Sequence, residues 1–545
     1  MQEKLKYGGG KQAMNAKLKN NIIHIEFQYD PNLVQKMRSL ESRKWNSISK
    51  KWECAPLKEN ILKLNEWGFD IDEEIQNLLL PKKKEKITPI DVKGFLKTLI
   101  SFQKEGVSFL EAKNGRALLA DSMGLGKTVQ AVAYLQLHPE IRPAIVVCPK
   151  SAKATWKREI DECMSTKKKY HIVEGRAKYK FPNADIYIIN YDIIQNHVGT
   201  ISELNPQIAI MDECHRIRNR NTQKTQATKE LCKSIPHLIG LTGTPIVNHP
   251  VEMFNAISLI NSSLFPNFFK FALRYCNAKK NRFGWDFNGA SNTKELHELL
   301  TSTCMIRRLK KDVLTELPEK TRSIVSLQID NQKEYNFAEN HFQEWLKENK
   351  GKTNTSAEAL SQIEYLKQIA AKGKMEQVFE WLEDYFEQEN KLVIMAHHKE
   401  ILQALCDFFE KQNIGYVKLV GGMSDKERES AEKEFQSNSR IKAFIGSSAA
   451  EESITLTAAN NMAIIEFPWT PGSLDQKEDR IHRIGQTKGC MYYYFAGERT
   501  IEESILKLID SKRKIIAAVL DGKDVDQGSM LSELLSQYYE RREEE

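Results

Sequence analysis

Long apolar runs are missing from this 545-residue chain. None approaches the ~18 consecutive apolar residues that a membrane-spanning helix needs, so no membrane role is expected. The first twenty residues are polar and lysine-rich with no apolar h-region, and no secretory signal is visible. The nine cysteines are scattered, with no C-x-x-C pair and no His/Cys cluster at zinc spacing. These absences speak against secretion, a disulfide scaffold and a structural metal, and they suggest a reducing compartment. The expected place is the cytoplasm of a bacterium or of a virus's host, or the nucleus of a eukaryote. A strong charge of one sign is lacking too. The net charge of +7 from 80 basic and 73 acidic residues is compatible with nucleic acid, as it is in many ordinary proteins. With 41% hydrophobic residues the chain can bury real cores, and its length suggests two to four domains.

The most informative stretch present is Leu118-Leu119-Ala120-Asp121-Ser122-Met123-Gly124-Leu125-Gly126-Lys127-Thr128. It reads as a buried strand, a glycine-rich turn and the opening of a helix, which aims backbone N–H groups and a helix N-terminus at an anion. Lys127 reaches the β- and γ-phosphates in such a loop, and Thr128 offers its hydroxyl to Mg²⁺. Asp121 stands where the generic pattern has its first glycine. Taken alone, the stretch is also readable as a plain strand–turn–helix corner.

Around it the chain alternates. Residues 22–27 read as a strand, Asp30-Pro31 caps a helix to about Leu40, Trp45 to Trp52 reads as a hairpin, and a second helix runs from about 57 to 67. Residues 1–86 hold 17 basic and 12 acidic residues, a net of +5. Arg43, Lys44, Lys50 and Lys51 interleaved with Trp45 and Trp52 suit backbone contact and base stacking on nucleic acid. They equally suit a small module whose tryptophans are core. Pro81 to Lys86 reads as a charged linker. Apolar runs at 145–148, 186–189, 208–211 and 238–241 are what parallel strands covered on both faces require. A helical insertion is expected at about 250–300. A helical stretch at 331–390 leads to a second strand set at 392–395, 417–420, 443–445 and 462–465. Thr500-Ile501-Glu502-Glu503 reads as a capping box opening the last helix. The expected fold class is therefore α/β: two tandem parallel-sheet domains with helical insertions, plus a small N-terminal α+β module. The corresponding divisions are 1–86, 87–320, 321–520 and a tail at 521–545.

Met211-Asp212-Glu213-Cys214-His215 follows an apolar strand about 85 residues after Gly-Lys-Thr. At that place Asp212 would hold Mg²⁺ and Glu213 would orient or deprotonate the attacking water. Leu241-Thr242-Gly243-Thr244-Pro245 either couples the nucleotide site to the second domain or is only a polar turn. Late in the second set come Gln476 and Asp479-Arg480-Ile481-His482-Arg483-Ile484-Gly485-Gln486. An arginine from across a cleft stabilises charge on a transferring γ-phosphate. Arg480 and Arg483, at i and i+3, are spaced to share one helical face. A surface salt-bridge helix has the same spacing.

Together, Phe102 to Val107, Asp121 to Thr128, Cys148-Pro149, Asp212 to His215, Leu241 to Pro245 and Asp479 to Gln486 resemble the ordered motifs of superfamily-2 helicases. In particular they resemble the Swi/Snf-type DNA translocases, whose own phosphate-loop form carries an aspartate at the position of Asp121. Met305-Ile306-Arg307-Arg308-Leu309-Lys310-Lys311 with Leu317-Pro318-Glu319-Lys320 resembles a further mark of that branch. Arg274 to Lys279, Gly284-Trp285-Asp286 and Ser291-Asn292 resemble the HepA-related (HARP) annealing-helicase subgroup. So does the N-terminal Tyr29-Asp30-Pro31 … Ser42-Arg43-Lys44-Trp45 … Lys51-Trp52.

The resemblance implies two RecA-like lobes and a HARP-like N-terminal module. It implies ATP and Mg²⁺ as cofactors and DNA as partner: duplex, forked or branched, and gripped without regard to sequence. Gln103 would read the adenine. Asp121, Met123, Gly124, Leu125, Gly126, Lys127 and Thr128 would cradle the phosphates. Thr128 and Asp212 would hold the metal, and Glu213 would direct the water. Arg480 and Arg483 would be finger residues, Gln476 an inter-domain nucleotide contact, and Arg307 and Arg308 a brace between the lobes. The implied activity is a DNA-dependent ATPase that translocates on DNA and rewinds or remodels forks, acting as a monomer. A strand-separating DNA or RNA helicase and a poorly hydrolysing DNA-binding scaffold remain open at this stage. In the second lobe the family usually places glycine before an apolar-Thr-Leu-Thr-like run. Here the stretch is Ala449-Ala450-Glu451-Glu452-Ser453-Ile454-Thr455-Leu456-Thr457, which sets two carboxylates near a surface expected to meet DNA phosphates. With no recognisable chromatin-reading or nuclease segment, a compact bacterial or viral repair and replication factor is expected.

Overall fold

The computed structural model describes residues 14–19, 22–41, 43–47, 49–79, 88–165, 169–243, 245, 249–281, 284–287, 289–314, 316–348, 356–387, 390–450 and 454–520. The linker at 81–86, Thr244, the Glu451-Glu452-Ser453 departure and the tail at 521–545 lie outside the described residues. The chain divides into two compact units, residues 1–86 and 87–545.

In the first unit five strands pair in the order Lys44–Asn46, Lys51–Cys54, Ile22–Glu26, Asn15–Lys19 and Asp70–Ile71. All neighbours are antiparallel except the last pair. The helix Pro31–Met37 starts where Asp30 Oδ1 accepts the Asn32 N–H at 2.7 Å, with proline at the first turn. Its buried Leu33 and Met37 join Ala16, Ile23, Ile25 and Cys54 in a small core. The two tryptophans divide between the alternatives left open above. Trp52 packs against this core, whereas Trp45, directly across the hairpin from it, is 48% exposed.

The second unit holds two parallel sheets with helices on both faces. The first runs Met305–Ile306, Arg116–Leu119, His237–Leu241, Ile208–Asp212, Ala144–Cys148, Ile186–Asn190 and Tyr170–Ile172, every pair parallel. Strands covered on both sides must be apolar throughout, and the five residues of Ala144–Cys148 and of Ile186–Asn190 are all buried. The second sheet runs Lys320–Leu327, Cys490–Gly497, Asn461–Ile464, Leu392–Met395, Ile441–Gly446 and Gly415–Leu419, again parallel throughout. These are the two tandem RecA-like lobes. Each sheet holds a separate core on either face. The phosphate-loop stretch and the carboxylates after Ile208–Asp212 leave the same C-terminal edge of the first sheet, where ligands of open parallel sheets bind.

Three local expectations change. The insertion at 250–300 is not wholly helical: between the helices Phe268–Tyr275 and Thr293–Thr303 it carries a hairpin, Lys279–Asn281 against Gly284–Asp286. The Thr500 capping box does not close in its usual reciprocal form. The Thr500 hydroxyl donates to Gly497 O and accepts the Glu502 N–H, and Glu503 accepts from Arg499 N. The helix Pro471–Glu478 ends before Arg480, so the arginine pair lies in the turns that follow it. All nine cysteines are buried free thiols. No described helix is long and apolar enough to cross a membrane.

Candidate active site

The strand Arg116–Leu119 delivers the chain into the glycine-rich turn, and the helix Lys127–Leu137 begins immediately beyond it. Gly124 and Gly126 have φ of +77° and +73°, backbone that an L side chain adopts only under strain. Lys127 is buried, and its Nζ donates to the carbonyls of Asp121 (2.8 Å) and Ser122 (3.3 Å) inside the loop. Burial lowers its pKa, opposed by the carboxylates of Glu213, Asp121, Asp212 and Asp479. Thr128 stands half-buried in the first helical turn. Leu125 and Met123 face inward, and Gly243 packs on Met123 so closely that a methyl there would come 2.3 Å from Met123 Cγ. The Leu241-Thr242-Gly243 segment is thus built into the wall of the site rather than being a loose turn.

Asp121 is fully buried, and both carboxylate oxygens are engaged. Oδ1 accepts from Arg308 N and Nε at 3.0 Å, and Oδ2 accepts from Arg308 Nη2 at 2.5 Å and Gln130 Nε2 at 3.3 Å. The aspartate in the glycine position therefore anchors the loop to the edge strand Met305–Ile306. Arg307 likewise donates to Ala120 O at 2.9 Å. Lys310 also bonds across the lobes, its Nζ reaching His482 O at 2.5 Å and Asp479 Oδ1 at 2.8 Å, and Arg307 lines the same opening between them. Burial takes the Lys310 ammonium down to about 8 despite the Asp479 charge. Arg307 and Arg308 directly follow Met305–Ile306, the strand that pairs with Arg116–Leu119, and Arg308 O accepts the Ser122 N–H at 3.0 Å.

Gln103 is buried with both ends of its amide bonded. Oε1 accepts the Ile100 N–H at 3.0 Å, and Nε2 donates to Leu125 O at 3.2 Å. It ties the start of the helix Ser101–Ala112 to the phosphate loop, so adenine contact there would exchange these bonds.

On the next strand but one in the sheet order, Asp212 Oδ2 accepts the Trp156 indole N–H at 2.8 Å and Oδ1 accepts the Glu213 N–H at 3.0 Å. Glu213 has φ of +47°, a non-glycine residue in the left-handed region, as strained functional positions often are. His215 Nδ1 lies 3.2 Å from Glu213 Oε2 and 3.1 Å from Thr242 Oγ1. Burial alone would raise the Glu213 carboxyl, but the adjacent His215 ring and the charges of Lys127 and Arg480 pull it below the ordinary carboxylate range. It stays an ionised acceptor in neutral solution. Trp156 is missing from the sequence-derived set, because a tryptophan on a helix reads as core until its N–H is found aimed at a carboxylate.

The facing wall comes from the second lobe. Arg480 Nη1 and Arg483 Nη1 converge on Ile454 O at 3.2 and 2.9 Å, and Arg483 also bonds Thr455 Oγ1 at 2.9 Å. Arg480 Nε donates to the backbone oxygen of Gln476, whose side chain is buried beside it. A methyl placed on Gly124 would stand 2.9 Å from Arg483 Cβ. Burial and the neighbouring Arg480 pull the Arg483 guanidinium down to about 10. Farther out, Arg158 Nη1 meets Glu432 Oε2 at 3.7 Å across the same cleft. The structure thus brings Lys127, Asp212, Glu213, Arg480 and Arg483 to one cleft. A positive-φ glycine loop, a buried lysine and a strand-end carboxylate pair form a donor set that fits a nucleoside triphosphate with a divalent cation.

A family model described as the SNF2-related domain matches residues 102–375, and one described as the helicase conserved C-terminal domain matches 373–485. The chain is 31% identical over 537 residues to the SWI/SNF-related matrix-associated actin-dependent regulator of chromatin subfamily A-like protein 1 of Xenopus laevis. That match takes in 93% of this chain and 55% of the frog protein. The homologous protein of Caenorhabditis elegans is 30% identical, with 93% of this chain and 76% of the worm protein covered. The human DNA annealing helicase and endonuclease ZRANB3 is 30% identical over 78% of this chain and 40% of its own length. This chain spans about half the length of the vertebrate relatives it matches.

Proposed function

The chain belongs to the SNF2-related family of helicase-like ATPases, and from that premise we propose that it is an ATP-dependent DNA translocase that remodels or re-anneals forked and branched DNA. The observation that carries the reading is the second-lobe arginine Arg483 standing against the first-lobe loop glycine Gly124. A site split between two lobes makes nucleotide state and lobe closure the same event. The names of the relatives, one of them a DNA annealing helicase, supply the direction.

In this reading ATP binds with its phosphates on the loop 121–128 and Lys127. Thr128 and Asp212 would hold a Mg²⁺ ion, which would neutralise phosphate charge. Trp156 fixes one oxygen of Asp212. Glu213, ionised and turned by His215, accepts from the attacking water. Arg480 and Arg483 meet the negative charge that builds on the γ-phosphate as the lobes close. Gln476 lies on the nucleotide side of that closure, and Gln103 exchanges its loop contact for the adenine. Each cycle of closure and opening moves the lobes along a duplex held by its phosphates, a grip that is sequence-tolerant and weakens with salt. The exposed Trp45, flanked by Arg43, Lys44, Lys50 and Lys51, gives residues 1–86 a surface for the junction of a fork. The protein acts as a monomer, in the cytoplasm of a bacterial or virus-infected cell or in a eukaryotic nucleus.

The test is the ATP hydrolysis rate on single-stranded, duplex and forked DNA and on RNA, with the full chain and with residues 87–545, beside a strand-annealing assay. The proposal expects stimulation by DNA, a preference for forks that is lost without residues 1–86, and annealing. Equal rates with and without DNA, or strand displacement without annealing, would refute it.

A further inference from the structure

The segment 213–221, which carries Glu213, continues away from the cleft into an aromatic surface that the ATPase reading does not use. Arg218, Asn219, Arg220 and Asn221 are exposed there, and Asn255 Nδ2 pins the segment by donating to Ile217 O (2.7 Å) and Arg218 O (3.0 Å). Against them the helix Phe268–Tyr275 and the hairpin strand Gly284–Asp286 of the insertion bring a group of rings. Trp285 and Phe287 lie parallel within 4° at 6.5 Å between centroids, on one face of the chain at i and i+2. Phe269 meets Trp285 edge-on at 4.7 Å, and the Arg220 guanidinium sits 4.0 Å over the Phe268 ring. A cavity of about 550 Å³ opens between Arg220, Asn267, Phe268, Phe269, Trp285 and Phe287.

Two features set this surface apart from a core. Trp285 and Phe269 are 42% and 38% exposed, so water covers ring area that a fold would normally bury. The surroundings are also cationic. Arg218, Arg220, Lys270 and Lys280 stand on the same segments, and Lys280 is directly opposite Trp285 in the hairpin. Among the described residues, Glu252 lies 3.9 Å from Arg218, and Asp286 is an acidic residue of the hairpin. Flat exposed rings between arginines and lysines, with asparagine amides at the rim, match unpaired bases joined by phosphates. A paired duplex offers no free base faces to such rings.

We propose that this face of the insertion is a binding site for single-stranded DNA, whose bases stack on Trp285 and Phe269 while Arg218, Arg220, Lys270 and Lys280 meet its phosphates. The assignment rests on the DNA reading above and adds to it a place for an unpaired arm of a fork, held on the same segment that leads back to Glu213.

The experiment titrates a labelled 20-nucleotide oligo-dT, an abasic strand of equal length and an oligo-rU into the full-length protein and its Trp285→Ala and Phe269→Ala variants, reading fluorescence anisotropy. Both side chains are exposed, and melting curves check each fold. Each variant is expected to bind oligo-dT about 5- to 150-fold more weakly, the range that one lost base–aromatic stack produces. Abasic-strand affinity and duplex-stimulated ATP hydrolysis should stay within about twofold of wild type. Trp emission should be quenched by oligo-dT in the wild type and much less in Trp285→Phe. Unchanged oligo-dT affinity in both variants overturns the proposal and leaves a protein partner as the occupant. Tighter binding of oligo-rU than of oligo-dT overturns the assignment to DNA. Failure of the translocase reading itself would look different: the wild type would show no DNA-stimulated hydrolysis at all.

Discussion

Arg483 of the second lobe packs against Gly124 of the first, so near that the glycine has no room for a side chain: an added methyl would lie 2.9 Å from Arg483 Cβ. The φ of +77° at Gly124 independently disfavours any L residue. Gly124→Ala should therefore strain the loop by about 1 kcal/mol or more and push the arginine wall away. The expected outcome is hydrolysis reduced at least about tenfold with a melting temperature only slightly lowered. Rates and melting curves measured side by side check it, and wild-type hydrolysis would contradict the close approach.

Asp121 and Arg308 are 187 positions apart in the chain and joined in the fold through a fully buried carboxylate. Removing one partner of such a pair strands the other charge, at a cost of about 3–5 kcal/mol. Arg308→Ala should lower the melting temperature of the first lobe markedly. Arg308→Lys should recover little of it, because an ammonium cannot reproduce the forked contact to both oxygens. Thermal unfolding of the two variants decides, and a fully rescued lysine variant would contradict the forked contact.

Glu478 gives the second lobe an acid-sensitive joint. Burial alone would raise its pKa, but the bond from Arg322 and the charges of Lys320 and Arg513 hold it at about 2, below the ordinary 4.5. A carboxyl whose folded value is depressed contributes stability above its unfolded value, and loses it as pH falls through the folded one. Glu466, held at about 2 by His398, acts in the same sense. The melting temperature should fall as pH drops from about 4.5 toward 2. Glu478→Gln should be less stable than wild type at neutral pH, with the gap closing on acidification as the native carboxyl also becomes neutral. A gap independent of pH would contradict the assignment.

Much of this architecture is visible in the residues themselves, for a physical reason. Strands such as Ala144–Cys148 and Leu392–Met395 are buried on both faces, and continuous apolar runs report that directly. Lys320–Leu327 escapes notice because it is an edge strand with mixed exposure and two charges, Lys320 and Arg322, in its first half. Met305–Ile306 escapes because two residues carry no period. The arginine pair shows the limits of spacing: i and i+3 suggest a helical face, yet the helix stops at Glu478 and the two side chains meet through Ile454 O instead. The Asp121–Arg308 and Trp156–Asp212 contacts link distant segments. Local pattern carries no trace of such partnerships, which tertiary packing alone creates.

The most direct measurement is steady-state ATP hydrolysis on saturating duplex DNA by wild type and by Arg483→Ala, with nucleotide affinity measured in parallel. The account predicts DNA-stimulated hydrolysis in the wild type, a loss of about 10³-fold or more in the variant, and nucleotide binding little changed. Hydrolysis by Arg483→Ala at the wild-type rate would contradict it, because the second lobe would then contribute nothing to the reacting phosphate.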